Sequence, residues 1–204
     1  LELRDVSYTY GDRAAKALSG ITMSIRRGER IGVIGPVGSG KSTLVKLILG
    51  VLSPDAGTID VNGINLHDVD LETYRAHIGY VPQEALLFSG TLRENVDLGS
   101  DQPNDALFST AIEAAQLTDE LASFPAGQET VVGQRGISLS GGQKQRMAIA
   151  RAVARQPQLM IFDDSTASLD AANEEQLMRR LDELSADLTF VIVSHRLSTL
   201  QYVD

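Results

Sequence analysis

The chain is read from Gly35-Pro36-Val37-Gly38-Ser39-Gly40-Lys41-Ser42-Thr43. A glycine, four residues, then Gly-Lys-Ser is the phosphate-cradling P-loop spacing. A loop with few bulky Cβ groups can curl until successive backbone N–H groups point at phosphate oxygens. A helix starting near Lys41 adds its positive N-terminal end. In such a loop the lysine reaches the β- and γ-phosphates and the Ser42 hydroxyl is a Mg²⁺ ligand.

The flanks agree. Arg30-Ile-Gly-Val-Ile34 has the apolar run of a buried parallel strand, and Thr43-Leu-Val-Lys-Leu-Ile-Leu49 is helical in pattern. An ordinary glycine-rich turn needs neither flank. Nucleotide binding is therefore the expectation.

Composition sets the bounds. The chain has 204 residues, enough for one well-cored domain, with 43% hydrophobic and 22% charged residues. A net charge of −9 argues against nucleic-acid binding, which needs clustered Lys and Arg. With no cysteine, disulfides and thiolate metal sites are excluded. No apolar run approaches the roughly 20 residues of a spanning helix, and no signal peptide opens the chain.

Working outward, Leu1 to Tyr8 alternates like a half-buried strand, and Thr58-Ile-Asp-Val61 ends at the Asn62-Gly63 turn signal. The first half thus reads as short antiparallel strands around the P-loop strand. Tyr8 is in phase with the apolar face and reads as core, whereas Tyr10, before Gly11, could stack on a base. Ile78-Gly-Tyr-Val81 is a further strand, followed by Pro82-Gln83; alone, such a glutamine is an ordinary surface residue. Asn104 to Leu121 is predicted as one helix, with Leu107, Ala111 and Ala115 at spacings of four.

Leu139-Ser140-Gly141-Gly142-Gln143 precedes a strong helix former, Lys144 to Arg155, which stops before Pro157. This Ser-Gly-Gly segment is either a simple N-cap or a second anion-ready helix start. Leu159-Met-Ile-Phe162 is a buried strand ending in Asp163-Asp164, and carboxylates at such a strand end lie where α/β sites form. Ala172 to Leu184 reads as a helix with Leu177, Leu181 and Leu184 on one face and an exposed Glu175–Arg179 pair. Thr189-Phe-Val-Ile-Val193 delivers Ser194-His195, a possible phosphate ligand, while His67 and His77 read as surface residues.

In this order the motifs closely resemble the nucleotide-binding domain of an ATP-binding-cassette (ABC) transporter, along essentially all 204 residues. The resemblance implies a P-loop NTPase core of mainly parallel sheet, an antiparallel β subdomain, and a helical subdomain of about residues 84–155 carrying the signature motif. It makes 1–204 a single domain, excised from a longer chain and short of its C-terminal end. It makes Gln83 the Q-loop and a Mg²⁺ contact, Leu139–Gln143 the signature motif, and Ile161-Phe162-Asp163 the Walker B strand, with Asp163 on Mg²⁺. Ser168-Leu169-Asp170 becomes the D-loop, His195 the switch histidine and Tyr10 the adenine-stacking ring. Lys41, Gln83, Asp164 and His195 are the catalytic set it implies. Gly35 through Thr43 would hold one ATP, and Ser140, Gly141, Gly142 and Gln143 would close over the ATP of a second nucleotide-binding domain. Phe88-Ser-Gly-Thr-Leu-Arg-Glu-Asn-Val96 is similar to exporters whose membrane and nucleotide domains share one chain. Thr130-Val-Val-Gly-Gln-Arg-Gly136 resembles their loop against intracellular loops, with Val131 and Gln134 where glutamates are common. The implied setting is the cytoplasmic face of a membrane.

One departure stands out. Asp164 occupies the family's catalytic glutamate position, shorter by one C–C bond of about 1.5 Å. Slow hydrolysis at this chain's own site is the expectation, with an ATP-binding regulatory module as the alternative. A DNA-repair or chromosome-structure ATPase would need a coiled-coil insertion between residues 84 and 138 that has no room there. An importer subunit is opposed by the Phe88–Val96 segment.

Overall fold

The structure, a computed structural model, describes residues 1–11, 15–133, 138–165, 171–184, 187–196 and 201–203. Its heart is a parallel sheet of four strands in the order β3-β10-β9-β6, where β3 is Arg30–Ile34, β6 Ile78–Val81, β9 Leu159–Asp163 and β10 Thr189–Ser194. All six residues of β10 are buried, as a central strand covered on both faces requires. Side-chain alternation divides the core. Ile161, Val191 and Val193 pack with Leu44, Leu47 and Ile48 of helix α1 (Lys41–Ile48), whereas Met160, Phe162, Phe190 and Ile192 face helices on the other side. The Phe162 and Phe190 rings stack there at 6.4 Å.

The second sheet is antiparallel, β2-β1-β4-β5, from β1 (Glu2–Tyr8), β2 (Leu18–Ser24), β4 (Ala56–Val61) and β5 (Ile64–Asn65). Asp5 sits at φ 51, and the β1 register shifts on both sides of it, so Val6 re-enters the core after Leu3. The P-loop strand β3 does not join these neighbours. It pairs with β10, Ile31 opposite Val191, although some 160 residues separate them.

Helix α2 (Leu71–Ala76) closes the end of α1: Tyr74 Oη donates to Ile48 O at 2.8 Å, and Arg75 donates to Leu49 O and Gly50 O at 2.8 and 2.7 Å. Those carbonyls lack partners within their helix, and the guanidinium suits the negative helix end. Strands β7 (Gly90–Thr91) and β8 (Val131–Val132) form a small ribbon beside α3 (Leu92–Asp97).

The single helix expected over Asn104–Leu121 is two helices, α4 (Asp105–Ala114) and α5 (Thr118–Ser123). Gln116 takes φ 56, its N–H donates to Glu113 O, and Leu117 N donates to Ile112 O. That pair of bonds, with Ile112 and Leu117 both buried, is a Schellman stop. Helix α6 (Gly141–Ala154) and helix α7 (Ala171–Leu184) complete the packing. Leu177 and Leu181 are buried as expected, but Leu184 at the end of α7 is 37% exposed. The Glu175–Arg179 pair is present at 3.5 Å and exposed, and His67 and His77 lie on the surface. No helix of the described residues is long and apolar enough to cross a membrane.

Candidate nucleotide site

Because β3, β10, β9 and β6 run parallel, their C-terminal ends share one edge, and each delivers a predicted site segment there. From β3 come Gly35 to Gly40 and then α1. Gly40 is the N-cap of α1 at φ 92, and no side chain caps the helix, so its first N–H groups face outward. An added Cβ on Gly40 would lie 2.4 Å from Ala17 O; this turn wedges against the start of β2 and admits only glycine. Val37 at the loop tip is 94% exposed.

The Lys41 ammonium folds back on its own loop, donating to Gly35 O at 2.7 Å and Pro36 O at 2.9 Å. Ser42 Oγ donates to Asp163 Oδ1 at 3.1 Å. Thr43, buried, has its hydroxyl 3.2 Å from Tyr10 Oη, and the Tyr10 ring meets Tyr8 edge-on at 4.9 Å. Tyr10 thus sits beside the root of the P-loop.

At the end of β9 the two aspartates part. Asp163 is 6% exposed, and burial pushes its carboxyl above the usual range; hydrogen bonds from Ser42 and Tyr80 oppose that shift without cancelling it. Asp164 turns out of the strand at φ 54, a conformation aspartate tolerates better than most residues, and its N–H donates to Val193 O at 2.9 Å. Its carboxylate meets His195 Nδ1 at 2.8 and 3.0 Å. The structure therefore brings together Lys41, Ser42, Asp163, Asp164 and His195.

It does not bring in every predicted residue. Gln83 is exposed beyond the end of β6, and no hydrogen bond joins it to Ser42 or Asp163. Ser140, Gly141, Gly142 and Gln143 open α6 as a capping box: Gln143 N donates to Ser140 Oγ at 3.2 Å, and Ser140 N donates to Gln143 Oε1 at 2.9 Å. Ser140 is thus a firm N-cap, with Gly141 already helical. Ser168-Leu169-Asp170 and Gln134 lie outside the described residues, and Val131 is exposed in β8.

The pattern that defines the ABC transporter family matches residues 18–167. The chain belongs to the ABC transporter family, as an ATP-binding domain. It is 39% identical over 199 residues to a probable multidrug resistance ABC transporter ATP-binding/permease protein of Bacillus subtilis, covering 98% of this chain and 34% of that one. It is 40% identical over 204 residues to an ATP-dependent lipid A-core flippase of Burkholderia orbicola, covering 100% and 34%. The solved structure of a bacterial Atm1-family ABC exporter with ATP bound superposes with a TM-score of 0.93 at 34% identity, over 100% of this chain and 36% of that one. This ABC domain spans about a third of the length of these two curated relatives. Family membership makes it a nucleotide-binding ATPase domain on a P-loop fold.

Sequence reasoning missed Tyr80. Its hydroxyl donates to Asp163 Oδ2 at 3.4 Å, and burial with the neighbouring carboxylate pushes its pKa up to about 12. Only the register of β6 against β9, Val81 opposite Phe162, puts it there. A cleft of about 870 Å³ between α4, α5, α6 and α7 is lined by none of these site residues; its arginines pair with Glu120 and Glu113.

Proposed function

We propose that this domain is the ATP-hydrolysing motor of an ABC exporter, at the cytoplasmic face of a membrane and fused to a transmembrane domain in its parent chain. It would meet a second nucleotide-binding domain head to tail, so that Gly35–Thr43 of one and Ser140–Gln143 of the other enclose each ATP. The observation that carries this reading is the sheet edge, where a P-loop helix start, a buried aspartate and an aspartate–histidine pair converge. The exporters among its relatives support the transport role.

The residues fit Mg²⁺. Ser42 and Asp163 already set a hydroxyl and a carboxylate oxygen 3.1 Å apart, hard donors of the kind this ion takes beside phosphate oxygens and water. Among the described residues no group of three or more His, Cys, Asp or Glu forms an all-protein cage, which Mg²⁺ does not need. Bound there, the ion would offset the phosphate charge.

The chain's own residues supply the rest. Lys41, now satisfied by two loop carbonyls, carries the cation that phosphate oxygens would draw away from them. Tyr10 is the ring for adenine, at the P-loop root. Asp164 would take a proton from the water attacking the γ-phosphorus as the bond to the leaving ADP oxygen breaks, and His195 holds its carboxylate in place. The missing methylene leaves that carboxylate short. A misplacement of about 1 Å can cost roughly 10²-fold in rate, about 2.7 kcal/mol of barrier. Hydrolysis at this site is therefore slow, while Ser140–Gln143 serves the partner's site.

Asp164→Glu tests the assignment: ATPase activity of the assembled transporter should rise at least several-fold. An unchanged rate would remove Asp164 from the role of base. The regulatory reading draws on the same carboxylate being engaged by His195, and predicts nucleotide binding with no turnover before or after that change.

A further inference from the structure

Thr9 and Tyr10 lie past the end of β1 and belong to no strand or helix, yet the protein itself fastens them. Thr9 N donates to Asp55 Oδ2 at 2.7 Å, and Asp55 N donates to Ser7 O at 2.9 Å. The residue just before β4 thus grips the chain on both sides of Tyr8. A carboxylate accepting from a backbone N–H makes a strong hydrogen bond of this kind. The Tyr10 ring meets Tyr8 edge-on at 4.9 Å, a favoured aromatic geometry, and Tyr8 is in turn paired with Leu18 of β2. At the far end of the ring, the Tyr10 hydroxyl lies 3.2 Å from that of buried Thr43.

Ala17 joins this frame to the phosphate loop. Its N–H donates to Tyr8 O at 2.8 Å, while its carbonyl is the backbone against which Gly40 is wedged. The strand end that carries Tyr10 and the turn that opens α1 therefore share one backbone neighbour, and the Tyr10–Thr43 contact spans the same gap with side chains. Asp55, exposed and outside the P-loop, reaches the ring only through the chain at Thr9. A ring that has to be ordered on binding costs affinity, and a ring already held spares that cost.

We infer that Asp55 and Tyr8 are positioning residues that set the Tyr10 ring relative to the P-loop, so that base and phosphates are received on one frame. Asp55 needs only an oxygen acceptor for this, so asparagine can replace it and alanine cannot. The use of the frame rests on the proposed adenine role of Tyr10; the fastening of Thr9 by Asp55 does not.

The test uses the full-length parent chain carrying Asp55→Ala, Asp55→Asn or Tyr8→Leu, the last of which removes the ring and keeps apolar bulk. Binding is measured for ATP and for inorganic triphosphate, which has no base, both without Mg²⁺ so that neither is hydrolysed. Asp55→Ala and Tyr8→Leu should weaken ATP binding about fivefold, the lower end of what a base–aromatic stack supplies, and leave triphosphate affinity unchanged. Asp55→Asn should bind ATP as the parent does. Amide hydrogen exchange over residues 8–11 should accelerate about tenfold in Asp55→Ala but not in Asp55→Asn, with helix α1 unchanged in both. Equal losses of ATP and triphosphate affinity overturn the proposal, because the P-loop itself would then be disturbed. So does an Asp55→Ala chain that matches the parent in exchange and in ATP affinity. Tyr10→Ala tells the two readings apart. ATP affinity unmoved by that change overturns the adenine role of Tyr10, whereas affinity lost in Tyr10→Ala and kept in Asp55→Ala overturns only the positioning.

Discussion

Replacing Gly40 with alanine separates backbone strain from steric conflict at the P-loop, because Gly38 provides a matched control. Both glycines have left-handed backbones, φ 92 at Gly40 and φ 84 at Gly38. Either alanine therefore meets a dihedral cost of about 1–3 kcal/mol. Around Gly38 an added Cβ meets nothing within 4 Å, whereas at Gly40 it falls 2.4 Å from Ala17 O and 2.8 Å from Leu18 Cδ2. The carbonyl belongs to backbone at the entry to β2 and cannot swing aside, so the loop must retreat by at least about 0.6 Å to restore the closest approach real Cβ atoms show. Overpacking of that kind adds about 1–3 kcal/mol. At about 2–4 °C per kcal/mol for a chain of this size, Gly38→Ala should lower Tm by about 2–12 °C and Gly40→Ala by several degrees more. Thermal unfolding of the nucleotide-free chain reads the difference; ATP affinity does not, since both residues line the proposed cradle. Equal losses for the two variants, or a Gly40→Ala midpoint within a degree of the parent, would refute the wedge against Ala17.

Three further outcomes follow from the carboxylates and phenols of the site. Asp163 binds its proton more tightly in the folded than in the unfolded chain, so its contribution is most favourable below the ordinary value of 3.8 and is lost as pH rises through the higher folded value. Asp163→Asn should therefore raise the urea midpoint of the nucleotide-free chain at pH 7, by a margin that shrinks toward about pH 4, while abolishing Mg²⁺-dependent nucleotide binding; a lower midpoint at pH 7 contradicts this. Tyr80 should stay protonated until about pH 12 in an ultraviolet titration. Since an unfolded tyrosine ionises near 10.0, stability should fall as pH rises above that value, and less steeply in Tyr80→Phe; identical slopes would contradict the raised pKa of this partly buried phenol beside Asp163.

The strands of the parallel sheet were legible because burial on both faces demands runs such as Leu159–Phe162 and Thr189–Val193. Their order was not: periodicity marks a strand but carries no information on its partner, and β3 finds β10 only in three dimensions. The break in the Asn104–Leu121 helix stayed hidden because Gln116, rather than glycine, holds the left-handed stop, secured by Ile112 against Leu117. Of the site, the P-loop glycines, the aspartates at the end of β9 and His195 could be read because strand ends collect ligand-facing groups. Tyr80 and Asp55 could not. Each acts through a partner more than 40 residues away, Asp163 for one and Thr9 for the other, and nothing local to either residue announces it.

The most direct measurement is Mg²⁺-dependent ATP hydrolysis by the full-length parent, alone and assembled with a transporter domain that carries glutamate at the position of Asp164. The predicted result is slow hydrolysis alone and a higher rate in the pair, where Ser140–Gln143 of this chain completes the productive site. Hydrolysis absent from both preparations contradicts the assignment as a motor domain, and fast hydrolysis by the parent alone contradicts the weakness assigned to Asp164.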